Sequence, residues 1–574
     1  MRIQVLFPHL PFLLLFLLLG GVQAQYDVLV YDASSGGVTA AVSAARAGLK
    51  TALLCASYPS CFAEGGKRIG GLSSGGLGQT DIGSTFPYIG GLALEFYQKN
   101  RAHYSLPETP GTNCRLPDLK CNVTYNLEPH VARQIFQDML EQSHVDIYYE
   151  ANAIAVHKST TTGKINTLTT NTRTYSAAIF IDASYEGDLM SLANVSYRVG
   201  RESRSTYNES LAGHSATASS NQFTIEVDPF DQRGTPLPFT TLPNASTHVG
   251  AADDRVQSYN FRLCVTKETN NVAPFPKPKN YNSSVFELLR RYLVACSSSS
   301  STGASSKSSC QLGFPSCLTS PVPKKKYDMN NCGPFSSDFI GGSLLYPEAT
   351  FDLRKKIWHQ HLEYQQGVLY YVSNDPAVPM QYRDLMKPWG LCKDEFVDNT
   401  LAPHWPPALY VRAARRLVGD RVFTQNTPHA QRDKGGIANV SISIGGYNFD
   451  SHNAERLACA NVSVCGGQRP KKTGTSSYTW NEGDVETAPG LYQIPVWVMF
   501  PSKSEATNLL VVAAPSASHI GMSTLRMEPQ FMMVGHAAGT VAALAIRSHV
   551  DFVQDVDVDR MRVLLVEQGM ILEF

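Results

Sequence analysis

The sequence predicts an α/β protein in which one parallel sheet is assembled from both ends of the chain, with a mixed α+β domain between them. Three stretches carry that expectation. "YDVLVYDASSGGVTAAVSAARAGLKTALL" runs from strand through Ser/Gly turn and alanine-rich helix to a second strand, the order of a parallel βαβ unit. Near the other end "NLLVVAA" reads as a buried strand, and "QFMMVGHAAGTVAALAIRS" as a helix whose small residues allow close packing on a sheet.

The elements follow in chain order. Residues 1–24, "MRIQVLFPHLPFLLLFLLLGGVQA", have one Arg2, a leucine-rich run and small residues before a cleavage point, the pattern of a secretory signal. No later stretch reads as long and apolar enough to span a bilayer, so the mature chain is expected to have no stable membrane insertion. Residues 25–201 form the first part of the sheet domain: a strand at Val28–Tyr31, a helix from about Val38 to Ala47 that Gly48 can cap, and "KTALL" as the next strand. "EPHVARQIFQDMLEQ" has helical spacing, with Val131, Ile135, Phe136 and Met139 on one side, and "IYYEANAIAVHK", "KINTLTTNT" and "TYSAAIFIDAS" alternate as strands. Residues 202–484 read as a loop-rich substrate or cap domain with a serine-rich insertion near 297–309, and 485–574 complete the sheet domain.

Lys plus Arg and Asp plus Glu both total 49, a balance that argues against nucleic acid as the main partner and favours a small-molecule ligand. Sequons at Asn122, Asn194, Asn208, Asn244, Asn282, Asn439 and Asn461 suit a secreted glycoprotein, with Asn194 expected to be buried behind its apolar neighbours. The pairs Cys55/Cys61, Cys114/Cys121, Cys310/Cys317 and Cys459/Cys465 are spaced for short disulfide loops. None has zinc-site spacing, and no metal is expected.

In the G-x-G-x-x-G turn of a dinucleotide site, the first glycine permits the turn, the second admits the pyrophosphate and the third lets helix and strand pack. Here Asp32, Ser34 and Gly37 hold those places, with Gly36 as an extra small residue. A carboxylate ~6 Å from a phosphate, at an effective dielectric of ~20, is repelled by roughly 3 kcal/mol, unless Asp32 points away or is paired. Cys55 stands where an acid would bind the ribose. The next segment, "KRIGGLSSGGLGQTDIGS", combines Arg68 with Gly70, Gly71 and Ser73 in a backbone suited to phosphate oxygens and a flat ring.

With "VYDASSGGVTAA", "RIGGLSSGGLGQTDIG", "FIDASYEGDLM", "YNFDSHN" and "SASHIGMSTLRMEPQFMMVGHAAGTVAALA", the chain resembles the FAD-dependent oxidoreductase family, within the two-dinucleotide-binding-domain flavoproteins. The resemblance implies a Rossmann-like FAD-binding domain. It places Ser34, Gly36, Gly37, Arg68, Gly70, Gly71 and Ser73 about the FAD pyrophosphate and ribose, and Asp182 and Ala183 beside the adenine-side nucleotide. Arg526, Glu528, Gly535 and Gly539 match the segment under the flavin.

His519 in "SASH" and His452 in "FDSHN" are the candidate proton-handling residues. Tyr447, Arg412 and Arg415 are candidates for substrate positioning, although arginines spaced as in "VRAARR" equally make an ion-paired or solvated helix face. The reading that follows is a secreted enzyme that takes a hydride from a small organic substrate, with molecular oxygen as acceptor. The alternative is a flavoprotein fold without cofactor, serving as a binding or structural glycoprotein; Asp32 and Cys55 favour it and the C-terminal motifs oppose it.

Overall fold

The computed structural model describes residues 25–56, 68–104, 124–215, 220–244, 248–299, 313–315, 318, 321–428, 438–461, 465 and 477–574. Residues 1–24, expected to be a secretory signal, Asn122, most of the serine-rich insertion and Cys61, Cys114, Cys121, Cys310 and Cys317 lie outside them.

β1 (Gln25–Tyr31), α1 (Ser35–Arg46) and β2 (Thr51–Leu54) form the expected βαβ start. α1 begins three residues earlier than Val38 because Ser34 caps it, its Oγ accepting the Gly37 N–H at 3.1 Å. Gly48, at φ +82°, lets the chain leave the helix in the left-handed region. The Gly-rich segment forms a short turn of helix, α2 (Gly71–Ser74), followed by α3 (Gly91–His103) and α4 (Pro129–Gln142). α4 buries Val131, Ile135, Phe136 and Met139, as its spacing indicates.

β3 (Asp146–Tyr148), β4 (Ala153–Lys158), β5 (Ile165–Thr170) and β6 (Thr174–Asp182) complete the N-terminal strands. The sheet order is β3-β2-β1-β6-β5-β4, and the late strand Leu509–Val511 also pairs with β6. β3, β2, β1, β6 and Leu509–Val511 are mutually parallel, whereas β4, β5 and β6 form an antiparallel meander. Tyr31 pairs with both Leu54 and Asp182, and Val511 with Asp182, so four carboxyl ends meet at one edge. That edge is where an open α/β sheet binds ligands.

The helix Glu528–Arg547 lies directly on α1. Thr39 Oγ1 donates to the Met532 carbonyl at 2.8 Å and Ser43 Oγ to the His536 carbonyl at 2.9 Å. A Cβ on Gly535 would overlap the Gly36 carbonyl, and one on Gly539 would come within 2.6 Å of the Ala40 carbonyl. The constant offset along the two helices means that they run parallel, with both N-termini at the carboxyl edge of the sheet. This helix corrects one expectation: it is long and apolar enough to cross a membrane by length and composition, and it is buried in the core instead.

Between the two ends of the chain, a five-stranded antiparallel sheet has the order Pro321–Val322, Lys326–Met329, Leu263–Thr266, Gly390–Cys392, Val272–Ala273. A disulfide between Cys264 and Cys392 ties two of its neighbouring strands across 128 residues, a pairing that short spacing did not suggest. Cys459–Cys465 forms as its spacing suggested, and Cys55, Cys296 and Cys332 are also disulfide-bonded. Asn194, expected to be buried, is exposed, as are Asn208, Asn244, Asn282, Asn439 and Asn461. Glu128, His130 and Glu395 come close enough to hold a metal ion, but the buried Lys326 ammonium lies among them, 2.9 Å from Glu395 and 2.8 Å from Asp394.

Candidate functional site

The turn at Asp32 resolves the missing glycine. Asp32 adopts φ +76°, the left-handed conformation that the first glycine would supply. Its buried carboxylate folds back on the chain, Oδ1 accepting the Ala33 N–H at 2.9 Å. Of the two arrangements the sequence leaves open, a carboxylate near the pyrophosphate or one turned away and paired, the bond to Ala33 matches the second. Gly37 is needed here because a Cβ would run into the Asp32 carbonyl. Ser34 donates to the Ala183 carbonyl at 2.7 Å and so fastens the turn to the end of β6.

The Gly70–Ser73 segment closes over this turn. Gly70 N–H donates to the Ala33 carbonyl at 2.8 Å, and a Cβ on Gly71 would come within 2.9 Å of Ser34 Cα. Ser73 Oγ and Tyr185 Oη donate to Glu528 at 2.9 and 2.7 Å. Burial raises the Glu528 carboxyl above its ordinary range, opposed by those hydrogen bonds. Arg68 pairs with Asp398, and burial lowers it to about 10. The Asp182 carboxylate turns into the chain that follows it, accepting from the N–H of Ser184 and Met190 at 3.0 and 2.7 Å, while burial pushes it up to about 6. Gly36, Gly535 and Gly539 serve the contact between the two parallel helices.

The remaining candidates separate into two environments. Arg526 is fully enclosed, donating to Tyr410 Oη at 2.6 Å and pairing with Asp450 at 2.7 Å. Asp450 is 3.6 Å from His452 Nε2, and Asp338 is 2.8 Å from His452 Nδ1. Burial and Arg412 oppose charging of His452; Asp450 and Asp338 outweigh them and hold it above its ordinary value. Asp338, lowered to about 2 against its burial by Arg412 and His452, is also the partner of Arg412 at 3.0 Å.

His452, Tyr447, Tyr410 and Asp450 line a cavity of about 480 Å³ together with Asp81, Asp484 and Glu486. Tyr410 also lines a second, small pocket, together with Leu409 and Val411 and with Gly71, Leu72 and Tyr185 of the cofactor end. A cavity of about 520 Å³ elsewhere is walled by Phe239, Phe286, Phe339 and Tyr364, and none of the cofactor-end residues lines it.

His519 and Arg415 are not on the wall of the polar cavity. His519 Nε2 is 3.1 Å from Ser451 Oγ, its backbone N–H donates to Glu202, and burial with Arg416 and Arg201 pushes its imidazole down to about 3. Arg415 is paired with Asp188 and Glu348, each at 2.8 Å. The "VRAARR" arginines are thus buried ion-pair partners, Arg412 and Arg415 on irregular backbone and Arg416 in the short strand Arg416–Leu417, not a solvated helix face. Sequence reasoning missed Asp81 and Asp338 as site residues. Asp81 closes the glycine-rich segment that was singled out, whereas nothing local marks Asp338.

A Rossmann-like sheet with two helix N-termini at its carboxyl edge, covered by a Gly-rich segment, defines a dinucleotide-binding flavoprotein fold. The family model described as FAD dependent oxidoreductase matches residues 27–565, and the chain belongs to that family. Its cofactor is FAD. The residues present fit the diphosphate: the first amides of α1 lack intrahelical partners, and the Gly70 N–H bond to the Ala33 carbonyl brings the glycine-rich segment that follows Arg68 against the same turn. Cys55, in a disulfide, supplies no carboxylate for the ribose.

Similar solved structures include T. acidophilum thioredoxin reductase (19% identity, TM-score 0.15), with 28% of this chain and 34% of that chain covered. Aquifex aeolicus GidA is 18% identical, with a TM-score of 0.18 and coverage of 28% and 24%. L-proline dehydrogenase from P. horikoshii is 12% identical, with a TM-score of 0.22 and coverage of 32% and 59%. These partial likenesses carry no argument about the reaction. A comparison with curated proteins gives no match.

Proposed function

We propose that this chain is a secreted FAD-dependent oxidoreductase that oxidises a small organic substrate in the polar cavity beside His452, by transfer of a hydride. The observation that carries the reading is the position of Tyr410, which lines both the polar cavity and the small pocket bordered by Gly71 and Leu72 of the cofactor end. Bound FAD supplies a two-electron acceptor for the hydride.

The protein's own residues supply the rest. Ser34, Gly36, Gly37 and Arg68 would hold the diphosphate, and the N-terminus of the Glu528–Arg547 helix would lend a positive field to bound flavin. His452, clamped between Asp338 and Asp450, holds a proton at Nε2 and orients a substrate hydroxyl or amine. Tyr447 stands on the same wall to position the substrate. Arg526 neutralises Asp450 from behind.

Secretion is supported by six exposed sequons and by the Cys264–Cys392 and Cys459–Cys465 bonds, and molecular oxygen is the proposed electron acceptor. The test is an absorbance spectrum of the protein purified from culture medium, before and after denaturation, with the released chromophore identified by mass. Stoichiometric FAD is expected. A colourless protein that takes up no FAD would overturn the reading and leave a binding or structural glycoprotein.

A further inference from the structure

We infer that the cavity beside His452 receives its substrate as an organic ammonium ion, a proposal that rests on reading this cavity as the substrate site. Its described wall carries four carboxylates, Asp81, Asp450, Asp484 and Glu486, with neither lysine nor arginine among the lining residues. The arginines behind the wall are already paired. Arg526 pairs with Asp450, Arg412 with Asp338, and Arg262 Nε donates to Asp328 at 3.0 Å. Arg262 reaches Asp81 only at 3.8 Å.

Asp484 accepts the Ser220 N–H at 3.0 Å, a bond that orients the carboxylate without cancelling its charge. Leaving Asp484 aside, the carboxylates of Asp81, Asp450, Glu486, Asp338 and Asp328 are matched by four cationic groups, Arg262, Arg526, Arg412 and His452, with Arg262 shared between Asp328 and Asp81. The surplus is felt within the wall: burial raises Glu486, and the fields of Asp450 and Asp484 raise it further. Burial also raises Asp81 despite Arg262, and Asp450 adds to the rise.

Each class of occupant meets this wall differently. An anion is repelled. A neutral polyol finds acceptors but leaves the like charges uncancelled. An ammonium group offers up to three N–H donors and cancels charge at once, and the Tyr447 ring provides a face for its carbon-bound side. About 480 Å³ accommodates the attached organic chain.

The test is titration calorimetry on the full FAD-loaded protein with cadaverine, pentanediol and glutarate, which share one carbon chain and differ in charge. Cadaverine is expected to bind and the other two not to saturate. Added salt should weaken binding, and Glu486→Gln, an exposed position where folding is not at stake, should weaken it about tenfold. Pentanediol binding as tightly as cadaverine, no cadaverine binding, or an unchanged affinity in Glu486→Gln would each overturn the proposal.

The flavin spectrum recorded in the same titration separates the two readings. Bleaching by pentanediol but not by cadaverine keeps the oxidoreductase and removes the ammonium. Cadaverine bound with no perturbation of the flavin keeps the ammonium site and removes its role as substrate site.

Discussion

The two sides of the site are held together by different physics. At the cofactor end, α1 and the Glu528–Arg547 helix meet through glycine, alanine, serine and threonine, with backbone against backbone. At the cavity, Tyr410, Arg526, Asp450, His452, Asp338 and Arg412 form a chain of charges and hydrogen bonds. The first interface is sensitive to volume and indifferent to charge; the second is the reverse. Substitutions that change one property while sparing the other tell them apart.

The largest effect is expected from Arg526→Met, which keeps apolar bulk and removes the buried charge, leaving the half-buried Asp450 with His452 as its remaining partner and Tyr410 Oη without its donor. Breaking such a pair costs roughly 3–5 kcal/mol, measured by denaturant unfolding. Next comes Gly535→Ala: one methyl group, no charge, and an expected loss of about 3 kcal/mol because the two helices must move apart. If Gly535→Ala were silent, the helices would not be in the contact described.

His452→Gln sharpens the chemical side, with kcat/KM expected to fall about 10²-fold at unchanged flavin content. Its pH profile is equally diagnostic. His452 is raised in the folded state, so the stability it contributes is present below the unfolded value and lost as pH rises through the folded one. His519 has the opposite sign. It is lowered from 6.5 to about 3, so the unfolded chain binds more protons and stability falls as pH drops through that window. Thermal melts of wild type and His519→Gln between pH 7 and 4 should therefore converge in acid.

The smallest effect is expected from Asp32→Gly. Relief of the left-handed conformation offsets the lost bond to Ala33, giving a change within about 1 kcal/mol and unchanged FAD content. A large rise in FAD content would mean that the Asp32 charge reaches the cofactor after all.

How much of this was legible in the sequence follows from the same contrast. Val28–Tyr31, the α4 stripe and the C-terminal small-residue helix were readable because burial leaves a local period. The Asp32 turn was readable only as a departure, since residue type alone does not tell whether a carboxylate turns outward or caps its own backbone. The grouping of Asp81, Asp338, Asp450, Asp484 and Glu486 left no local mark, because it exists only after distant segments are brought together. The Cys264–Cys392 bond was hidden for the same reason. Gly535 and Gly539 were noticed as small residues, and the structure gives that smallness a packing cause.

The pairing of α1 with the Glu528–Arg547 helix also constrains how the molecule is made. The bond from Thr39 to Met532 spans 493 residues, so the first helix to leave a ribosome waits for nearly the last one before its outer face is covered. Until then its alanines and glycines, and the β6 edge that Leu509–Val511 will occupy, stay open to wrong partners. Such long-range closure is slow and exposed to aggregation. A chain cut short before residue 509 lacks the strand and the helix that, among the described residues, close that layer.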